Sequence, residues 1–260
     1  NWIERAENAC FEAYNYINGT RYPITGEQVI EKCSARNDTL LYQFPNGSID
    51  DVDAAVQAAS VASISGVWSK ATLSERKSVL LKLASLIDEN AEELALFESV
   101  DVGKPITNAL NGDIPSASET IRDAAEGLDK LYSHSAIDGA GPNLMCQIRK
   151  PVGVVAAIVG WNFPLVLAVC KVAPALAMGN SVVLKPSEFS PLSACRLAEL
   201  ATQAGLPDGV LNVVNGSGAV VGKALALHTD VALLSFTGST ATGKQLMVSA
   251  GRSNMKRLML

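Results

Sequence analysis

One apolar stretch, from Pro151 to Glu188, constrains the fold more than any other part of the sequence. It begins with a β-branched run at Val152–Val159, continues with a helix-length segment at Leu165–Met178, and ends with a second apolar run at Ser181–Leu184. Pro164 stands where the first turn of a helix tolerates proline. Because a strand buried on both faces need not alternate with polar residues, the stretch predicts a strand, a helix and a second, parallel strand.

Polar and aromatic residues follow both predicted strands. Trp161, Asn162 and Phe163 come after the first strand, and Lys185 and Glu188 come after the second. Open α/β sheets bind ligands at the carboxyl ends of their parallel strands, and neighbouring strands lie about 5 Å apart. We therefore expect one ligand to contact both sets of residues.

The same stretch has a competing interpretation as a membrane-spanning helix, because Pro151–Cys170 holds twenty residues without a charge. Against this, Asn162 and two prolines interrupt the segment, and Lys171 follows it without an aromatic belt. We expect no membrane partner.

The alternation of strand and helix continues after Glu188. Pro191–Ala204 is amphipathic and ends at Gly205, as a helix would. Three further apolar runs are predicted as strands, each preceded by a helix: Val210–Val214, Val231–Phe236 and Leu258–Leu260. This order predicts an α/β fold with a Rossmann-like parallel sheet and helices on both faces.

The residues before Pro151 predict other elements. Asn18-Gly19 favours a β-hairpin with a type I′ turn, and the weakly extended Val29–Tyr42 would complete a small meander with it. Ser48 with Asp51, and Thr72 with Glu75, have the spacing of capping boxes that begin helices. A helical N-terminal region is therefore expected.

A break in this helical pattern separates it from the Rossmann-like part. Ser133–Asn143 contains Gly and Pro, and Leu144–Arg149 then alternates as an exposed strand would. We predict a protruding β-hairpin here. The expected organisation is an N-terminal part of a cofactor-binding domain at 1–132, an oligomerisation hairpin at 133–150 and a Rossmann-like core at 151–260.

Charge and cysteine content exclude several classes of protein. The net charge is −5 with no dense Lys/Arg patch, which argues against nucleic acid or an anionic membrane as a partner. The five cysteines are odd in number, widely spaced and free of C-x-x-C, so neither a disulfide framework nor a structural zinc site is expected. No signal peptide opens the sequence as given, and we expect a reducing cytoplasm.

Two glycine motifs suggest phosphate binding without establishing it. Gly216-x-Gly218-x-x-x-Gly222 is one residue longer than the dinucleotide fingerprint, and an ordinary turn between strand and helix explains it about as well. Gly238-x-x-x-x-Gly243-Lys244 resembles a P-loop, but Gln245 stands where that motif needs Ser or Thr to hold Mg²⁺.

Single residues in the central stretch also have two interpretations. Asn162, in an apolar setting, would either cap the following helix or direct its amide at a developing oxyanion. Glu188 would either accept hydrogen bonds from ribose hydroxyls or be a solvated surface residue, and Lys185 could be an ordinary strand-end lysine. Cys170, inside an apolar helix, is expected to be an inert packed residue.

Taken together, the motifs resemble the aldehyde dehydrogenase superfamily. The similarity covers nearly the whole chain, and several motifs occur in family order. They are IVGWNFPL at Ile158–Leu165, GNSVVLKPSE at Gly179–Glu188, GLPDGVLNVVNGSG at Gly205–Gly218 and FTGST at Phe236–Thr240, with YINGT near the start and DVGKP at Asp101–Pro105. The run SNMKR at Ser253–Arg257 and the residues around Lys185 look closest to γ-glutamyl-γ-aminobutyraldehyde dehydrogenases.

The resemblance implies roles for the matching residues. Asn162 would supply the amide of an oxyanion hole. Lys185 and Glu188 would hold the adenosine ribose, and Glu188 would disfavour a 2′-phosphate and so favour NAD over NADP. Trp161 and Ser239 would meet the pyrophosphate.

Other matching residues would complete the cofactor site and the aldehyde tunnel; no metal is implied. The adenine cleft would be lined by Ile158, Gly218, Gly222 and Thr242. Further cofactor contacts are expected from Val159, Ser187, Phe236 and Gly238. The aldehyde tunnel would be lined by Phe163, Leu167 and Cys170.

Three departures from the family pattern limit what the resemblance implies. Gly160 replaces a usual Pro, and Ser217 replaces a usual Phe. In the family, the general-base Glu and the nucleophilic Cys come after the position of Leu260, and none of the five cysteines here matches that nucleophile. These 260 residues are therefore expected to be the NAD-binding half of an aldehyde dehydrogenase, without its catalytic domain and inactive alone.

The expected partners are a small aldehyde and further copies of the chain, because the family strand that matches Leu144–Arg149 pairs between subunits. Two other functions stay open at this point. One is a non-catalytic nucleotide-binding or assembly module, and the other is a P-loop-like ATPase.

Overall fold

The computed structural model describes residues 1–35, 37–137, 139, 141 and 143–260. Its centre is a seven-stranded sheet with the order β11-β10-β7-β8-β9-β1-β2. The five strands from β7 to β11 run parallel, and β1 pairs antiparallel with β9 and with β2. The strands of this sheet are β1 (Asn15–Ile17), β2 (Thr20–Tyr22), β7 (Val154–Ile158), β8 (Ser181–Lys185), β9 (Leu211–Val213), β10 (Val231–Phe236) and β11 (Arg257–Met259).

Helices cover both faces of this sheet, as the sequence predicts. Along β7, Val155 and Ala157 belong to one apolar core, while Val154, Ala156 and Ile158 belong to the core on the opposite face. Because both faces are buried, the strand contains no polar residue, and this explains the continuous apolar run. The α/β fold class is therefore confirmed.

The two cores are formed with different helices. The first core contains residues of α3 (Leu73–Glu89), α4 (Ala91–Val102), α6 (Ile114–Gly127), α7 (Pro164–Ala177) and α8 (Leu192–Ala204). The second contains residues of α2 (Ile49–Ser65), α9 (Lys223–Leu227) and α10 (Thr240–Arg252). The remaining helical segments are α1 (Trp2–Asn8), α5 (Ile106–Asn108), π-helical turns at Ala109–Asp113 and Gly218–Gly222, and a 3₁₀ turn at Leu128–Lys130.

Local signals placed the N-terminal helices correctly. Both predicted capping boxes are present: the Ser48 hydroxyl accepts from the Asp51 N–H, and the Thr72 hydroxyl accepts from the Glu75 N–H. The turn at Asn18-Gly19 has positive φ angles at both residues, as a type I′ hairpin requires.

The predicted meander at Val29–Tyr42 is wrong. β3 (Val29–Cys33) and β4 (Leu40–Pro45) form a separate antiparallel pair that does not join the β1–β2 hairpin. Tyr42 and Phe44 of β4 are buried in a small third core with Phe11 and Phe97, which holds this pair against α4 instead.

A second hairpin is formed by β5 (Ser135–Ile137) and β6 (Leu144–Cys146). All residues of both strands are exposed. β6 is shorter than the predicted strand at Leu144–Arg149. Residues 138, 140 and 142, within the predicted break at Ser133–Asn143, lie outside the described residues.

The stretch Pro151–Cys170 does not form one helix. It is divided between β7 and the first half of α7, with a turn at Trp161–Phe163. Within the described part of the chain, no helix is long and apolar enough to cross a membrane.

Candidate functional site

The carboxyl ends of β7, β8 and β10 meet at one edge of the sheet. Ile158 is the register partner of Lys185 on one side and of Phe236 on the other. The hydrogen bonding continues past the strands, because the Val159 N–H donates to the Lys185 carbonyl at 3.2 Å and the Thr237 N–H donates to the Ile158 carbonyl at 3.1 Å. The structure therefore brings together the residues that the sequence predicts at this edge.

Lys185 and Glu188 form a partly buried ion pair at the end of β8. Lys185 is 2% exposed, and its Nζ donates to the Pro186 carbonyl at 2.8 Å and to Glu188 Oε2 at 3.3 Å. Burial lowers the pKa of Lys185, while the Glu188 carboxylate opposes that shift. Glu188 Oε1 has no hydrogen bond to any described residue and remains available to accept one. Neither residue is an ordinary surface residue.

A cleft of about 750 Å³ opens beside Glu188. One wall is formed by the turn at Ser217–Ala219, and the other by α10. Lys223, Lys244 and Arg252 also line it, so its charged lining has one carboxylate and three cations. The dimensions are those of an ordinary small-molecule site.

Two predicted glycines shape the wall that faces β7 and β8. A Cβ on Gly222 would lie 3.8 Å from Lys185 Cδ and 4.0 Å from Ile158 Cδ1, so this segment packs directly on the strand ends. A Cβ on Gly218 would meet no protein atom within 4 Å, since Gly218 borders the open cleft. The turn itself is held by Asn46, whose Oδ1 accepts from the Ser217 N–H at 2.7 Å.

The loop after β10 leads directly into α10. A Cβ on Gly238 would lie 2.4 Å from the Phe236 ring, so a larger residue there would have to displace this ring. The Ser239 hydroxyl caps α10 by accepting from the Thr242 N–H at 3.2 Å. Because α10 follows β10 after a short loop, the N–H groups of its first turn lie at the strand-end edge, which suits an anionic group.

The P-loop interpretation does not fit this geometry. In a P-loop, backbone N–H groups of the glycine-rich loop surround the phosphates. Here α10 already begins at Thr240, so the residues up to Lys244 are helical and cannot surround a phosphate.

The turn at Trp161–Phe163 is open. All three residues are exposed, Trp161 by 55% and Phe163 by 44%. The Asn162 side chain makes no hydrogen bond to any residue that the structure describes, and Phe163, not Asn162, is the N-cap of α7. The predictions that Asn162 sits in an apolar setting and caps the helix are wrong, because the turn projects from the sheet edge.

The cap of α7 comes from a residue that sequence analysis missed. Glu98 on α4 is fully buried, and its Oε1 accepts from the Leu165 N–H at 2.9 Å. Burial raises the pKa of Glu98 to about 7, and the hydrogen bond from Leu165 opposes the shift. The one available signal was an acidic residue one helical turn after the buried Leu94.

Asp101, one turn further along α4, does the same for α8. Its Oδ2 accepts from the Leu192 N–H at 3.1 Å, and its other oxygen accepts from the Tyr42 hydroxyl. Burial raises the pKa of Asp101 to about 7, with the Tyr42 hydrogen bond lowering it. One helix thus supplies buried carboxylates to the first turns of two crossover helices, α7 and α8.

The residues predicted for an aldehyde tunnel lie on and before α7. Leu167 is half-buried and lies close to Gly160. Lys104 Nζ lies 4.0 Å above the Phe163 ring, and Lys104 is also paired with Asp113. Cys170 is exposed, so the prediction of inert packing is wrong. The reason is that the apolar sequence of α7 does not show which side of the helix has no neighbouring element packed against it. Among the described residues, no group of three acidic, His or Cys side chains could hold a metal ion.

Comparison with known proteins gives a consistent result. The sequence pattern of the aldehyde dehydrogenase family matches residues 23–260. The NADP/NAD-dependent aldehyde dehydrogenase PuuC of Escherichia coli (strain K12) is 49% identical over 259 residues, which cover 100% of this chain and 52% of that protein.

Solved structures give the same picture. Indole-3-acetaldehyde dehydrogenase, solved with NAD+, superposes with a TM-score of 0.95 at 47% identity, over 99% of this chain and 52% of the other. The γ-glutamyl-γ-aminobutyraldehyde dehydrogenase of Burkholderia cenocepacia J2315 gives a TM-score of 0.94 at 44% identity, over 99% and 52%. The chain spans about half the length of these relatives.

The buried carboxyl of Glu98 predicts a pH dependence of stability. Its pKa is about 7 in the folded chain, against an ordinary 4.5, so the folded state binds more protons between these values. Its contribution is therefore complete below about pH 4.5 and is lost as the pH rises through 7. Glu98→Gln keeps an oxygen for the Leu165 N–H but cannot ionise. Between pH 5 and pH 8, the free energy of unfolding should therefore fall less in Glu98→Gln than in the wild type. The difference is on the order of 1.4 kcal/mol per unit of pKa shift.

Urea unfolding at pH 5 and pH 8 measures this change. Asp101, Lys104 and Asp113 also act on the Glu98 carboxyl or lie near it, and they are unchanged in the variant. Glu92→Gln, an exposed glutamate on the same helix, is the matched control. An equal pH dependence in wild type and Glu98→Gln would contradict the prediction.

Proposed function

The chain belongs to the aldehyde dehydrogenase family, and on this premise we propose that it forms the NAD-binding half of an enzyme that oxidises an aldehyde to a carboxylic acid. The observation that carries the proposal is the Lys185–Glu188 pair at the strand-end edge, beside the cleft that Gly218 borders. Glu188 Oε1, which has no hydrogen bond to a described residue, suits vicinal ribose hydroxyls at that position.

Different residues at this edge would bind different parts of the cofactor. We propose that Lys185 and Glu188 hold the adenosine ribose. The first turn of α10, beginning after Ser239, would face the pyrophosphate together with Trp161. When bound, NAD supplies the hydride acceptor for aldehyde oxidation. The adenine would lie in the cleft, with Gly218 and Gly222 on one side and Thr242 on the other. Further contacts to the cofactor would come from Ile158, Val159, Ser187, Phe236 and Gly238.

The exposed turn before α7 is proposed to meet the substrate. Asn162 has an amide with no partner among the described residues, and an N–H₂ donor at that point would stabilise negative charge on the aldehyde oxygen. Phe163, Leu167 and Cys170 follow along α7 and would line the path of the aldehyde. The similarity to γ-glutamyl-γ-aminobutyraldehyde dehydrogenase supports an aminoaldehyde as the substrate class. The cytoplasmic location stays a prediction.

We predict that a polypeptide of these 260 residues binds NAD but does not oxidise aldehydes. Covalent catalysis needs an activated nucleophile and a base, and the family resemblance places neither within this segment. Absorbance of NADH with several aldehydes measures the activity, and calorimetry measures NAD binding. PuuC serves as the positive control.

Steady, aldehyde-dependent NADH formation by this polypeptide would contradict the prediction. If Cys170→Ser abolished such activity, the exposed cysteine would be its nucleophile. Absence of NAD binding as well would remove the proposed cofactor site.

We predict that NAD binds more tightly than NADP. Glu188 would oppose a 2′-phosphate by like charge but accept hydrogen bonds from ribose hydroxyls. Glu188→Gln should narrow the ratio of the two dissociation constants by about tenfold, or about 1.4 kcal/mol. The similarity to a relative described as NADP/NAD-dependent supports a preference and not exclusive use of one cofactor.

Calorimetry with both cofactors on wild type and variant tests this preference. Lys223→Gln is a control with the opposite expected effect. Lys223 lines the same cleft, so its loss should weaken the binding of NADP more than the binding of NAD. Equal affinities of the wild type for both cofactors would remove Glu188 from this role.

We also propose that the β5–β6 hairpin mediates association into a homo-oligomer. Ile137, Leu144, Met145 and Ile148 are 58–79% exposed. Among the described residues, β5 and β6 pair only with each other, so the outer edges of the hairpin have unpaired backbone groups. Apolar exposure of this kind marks interaction surfaces. Leu144→Lys with Ile148→Lys should raise the dissociation constant of the assembly at least about tenfold by placing like charges across the contact.

Light scattering over a range of concentrations measures the association. Val61→Lys with Ile64→Lys adds the same charge at two exposed apolar positions of α2 and should leave association unchanged. A monodisperse wild-type monomer of about 27 kDa at high concentration would contradict the proposal.

A further inference from the structure

The turn at Trp161–Phe163 is anchored from one side by α4. α7 begins at Pro164, which has no backbone N–H, so the Leu165 N–H is the first donor at this end of the helix. Glu98 accepts that hydrogen bond at 2.9 Å, and both Glu98 and Leu165 are fully buried.

We infer that Glu98 is a positioning residue that fixes the place of the Asn162 amide through the first turn of α7. The inference rests on the proposed function, in which Asn162 contacts the aldehyde oxygen. Glu98 itself is fully buried and does not touch the substrate.

The turn has few other constraints that would do this. Among the described residues, the Asn162 side chain has no hydrogen bond, and the Phe163 N-cap has no side-chain cap of its own. α7 has no acidic residue in its first turn. Among the described residues, Glu98 is the side chain that accepts a hydrogen bond from an N–H of this first turn.

A second contact from the same part of the chain supports this role. Lys104 follows α4 and lies with its Nζ 4.0 Å above the Phe163 ring, while Asp113 holds its charge. Glu98 and Lys104 thus contact α7 and its N-cap within three residues of Asn162. Both are supplied by the segment 98–104, so its position relative to α7 constrains the backbone that carries the Asn162 amide.

The expected consequence is a loss of turnover that is larger than any loss of cofactor binding. A reacting group displaced by about 1 Å can cost up to 10²-fold in rate. The Lys185–Glu188 pair and the cleft contain no residue of α4. Glu98→Ala should therefore lower kcat at least about tenfold, and by a larger factor than it raises the NAD dissociation constant, since Trp161 of the same turn is one of several proposed NAD contacts.

A double-mutant cycle on the whole native enzyme that contains these residues tests the inference. The four proteins are wild type, Glu98→Ala, Asn162→Ala and the double variant. If Glu98 acts through Asn162, then adding Glu98→Ala to Asn162→Ala should change kcat by less than about threefold. A merely structural role would instead lower kcat by a similar factor in both backgrounds.

Two further variants keep the result interpretable. Glu98→Gln retains an oxygen acceptor for the Leu165 N–H and should restore most of kcat. Glu98→Asp keeps the charge but withdraws the acceptor by one methylene, so it should lower kcat; it replaces alanine in the cycle if Glu98→Ala does not fold. Glu92→Gln on the exposed side of α4 should leave kcat unchanged.

Different results overturn different proposals. If Asn162→Ala lowers kcat strongly but Glu98→Ala and Glu98→Asp do not, the positioning role is wrong and the proposed function stands. Additive losses in the double variant, or no rescue by Glu98→Gln, also overturn it. If Asn162→Ala leaves kcat unchanged, the proposed role of Asn162 is wrong, and the role of Glu98 falls with it.

Discussion

The arrangement of the sheet edge depends on two buried hydrogen bonds from α4. Glu98 and Asp101 lie one helical turn apart, and their carboxylates accept from the first available N–H groups of α7 and α8. Buried carboxylates are costly unless they find donors, and helix N-termini provide donors together with a favourable dipole. Each bond joins residues that are far apart in sequence, so α4 sets the starting points of two crossover helices at once.

The candidate site follows from the same geometry. Because β7 is buried on both faces, it offers a ligand only its carboxyl end, and the neighbouring strands end in register with it. Lys185 is buried beneath that end and brings Glu188 to the cleft through their ion pair. The polar groups of the site therefore lie at the ends of buried apolar strands, while Asn162 projects from this edge on an open turn.

Much of this fold was predictable because its causes are local in the sequence. Neighbouring residues alone indicate the capping boxes at Ser48 and Thr72 and the apolar runs of β7 and β8. The motifs shared with the family indicate which fold these elements form. The role of Glu98 was not predictable, since it depends on a contact 67 residues away. Cys170 was misplaced for a related reason: periodicity defines the faces of α7 but not which neighbours cover them. The separate β3–β4 pair was missed because aromatic packing against α4, not strand propensity, decides where it lies.

The pairing of β1 with β9 has a consequence for how the chain is made. Asn15 Oδ1 accepts from the Asn215 N–H, across a separation of 200 residues. Ribosomes add about 5–20 residues per second, so β1 would wait roughly 10–40 s after its synthesis before its partner strand exists. During that time the β1–β2 hairpin has an unpaired edge in the crowded surroundings of the ribosome. β1 is thus completed late, and this edge of the hairpin stays open to other strands until β9 has been synthesised.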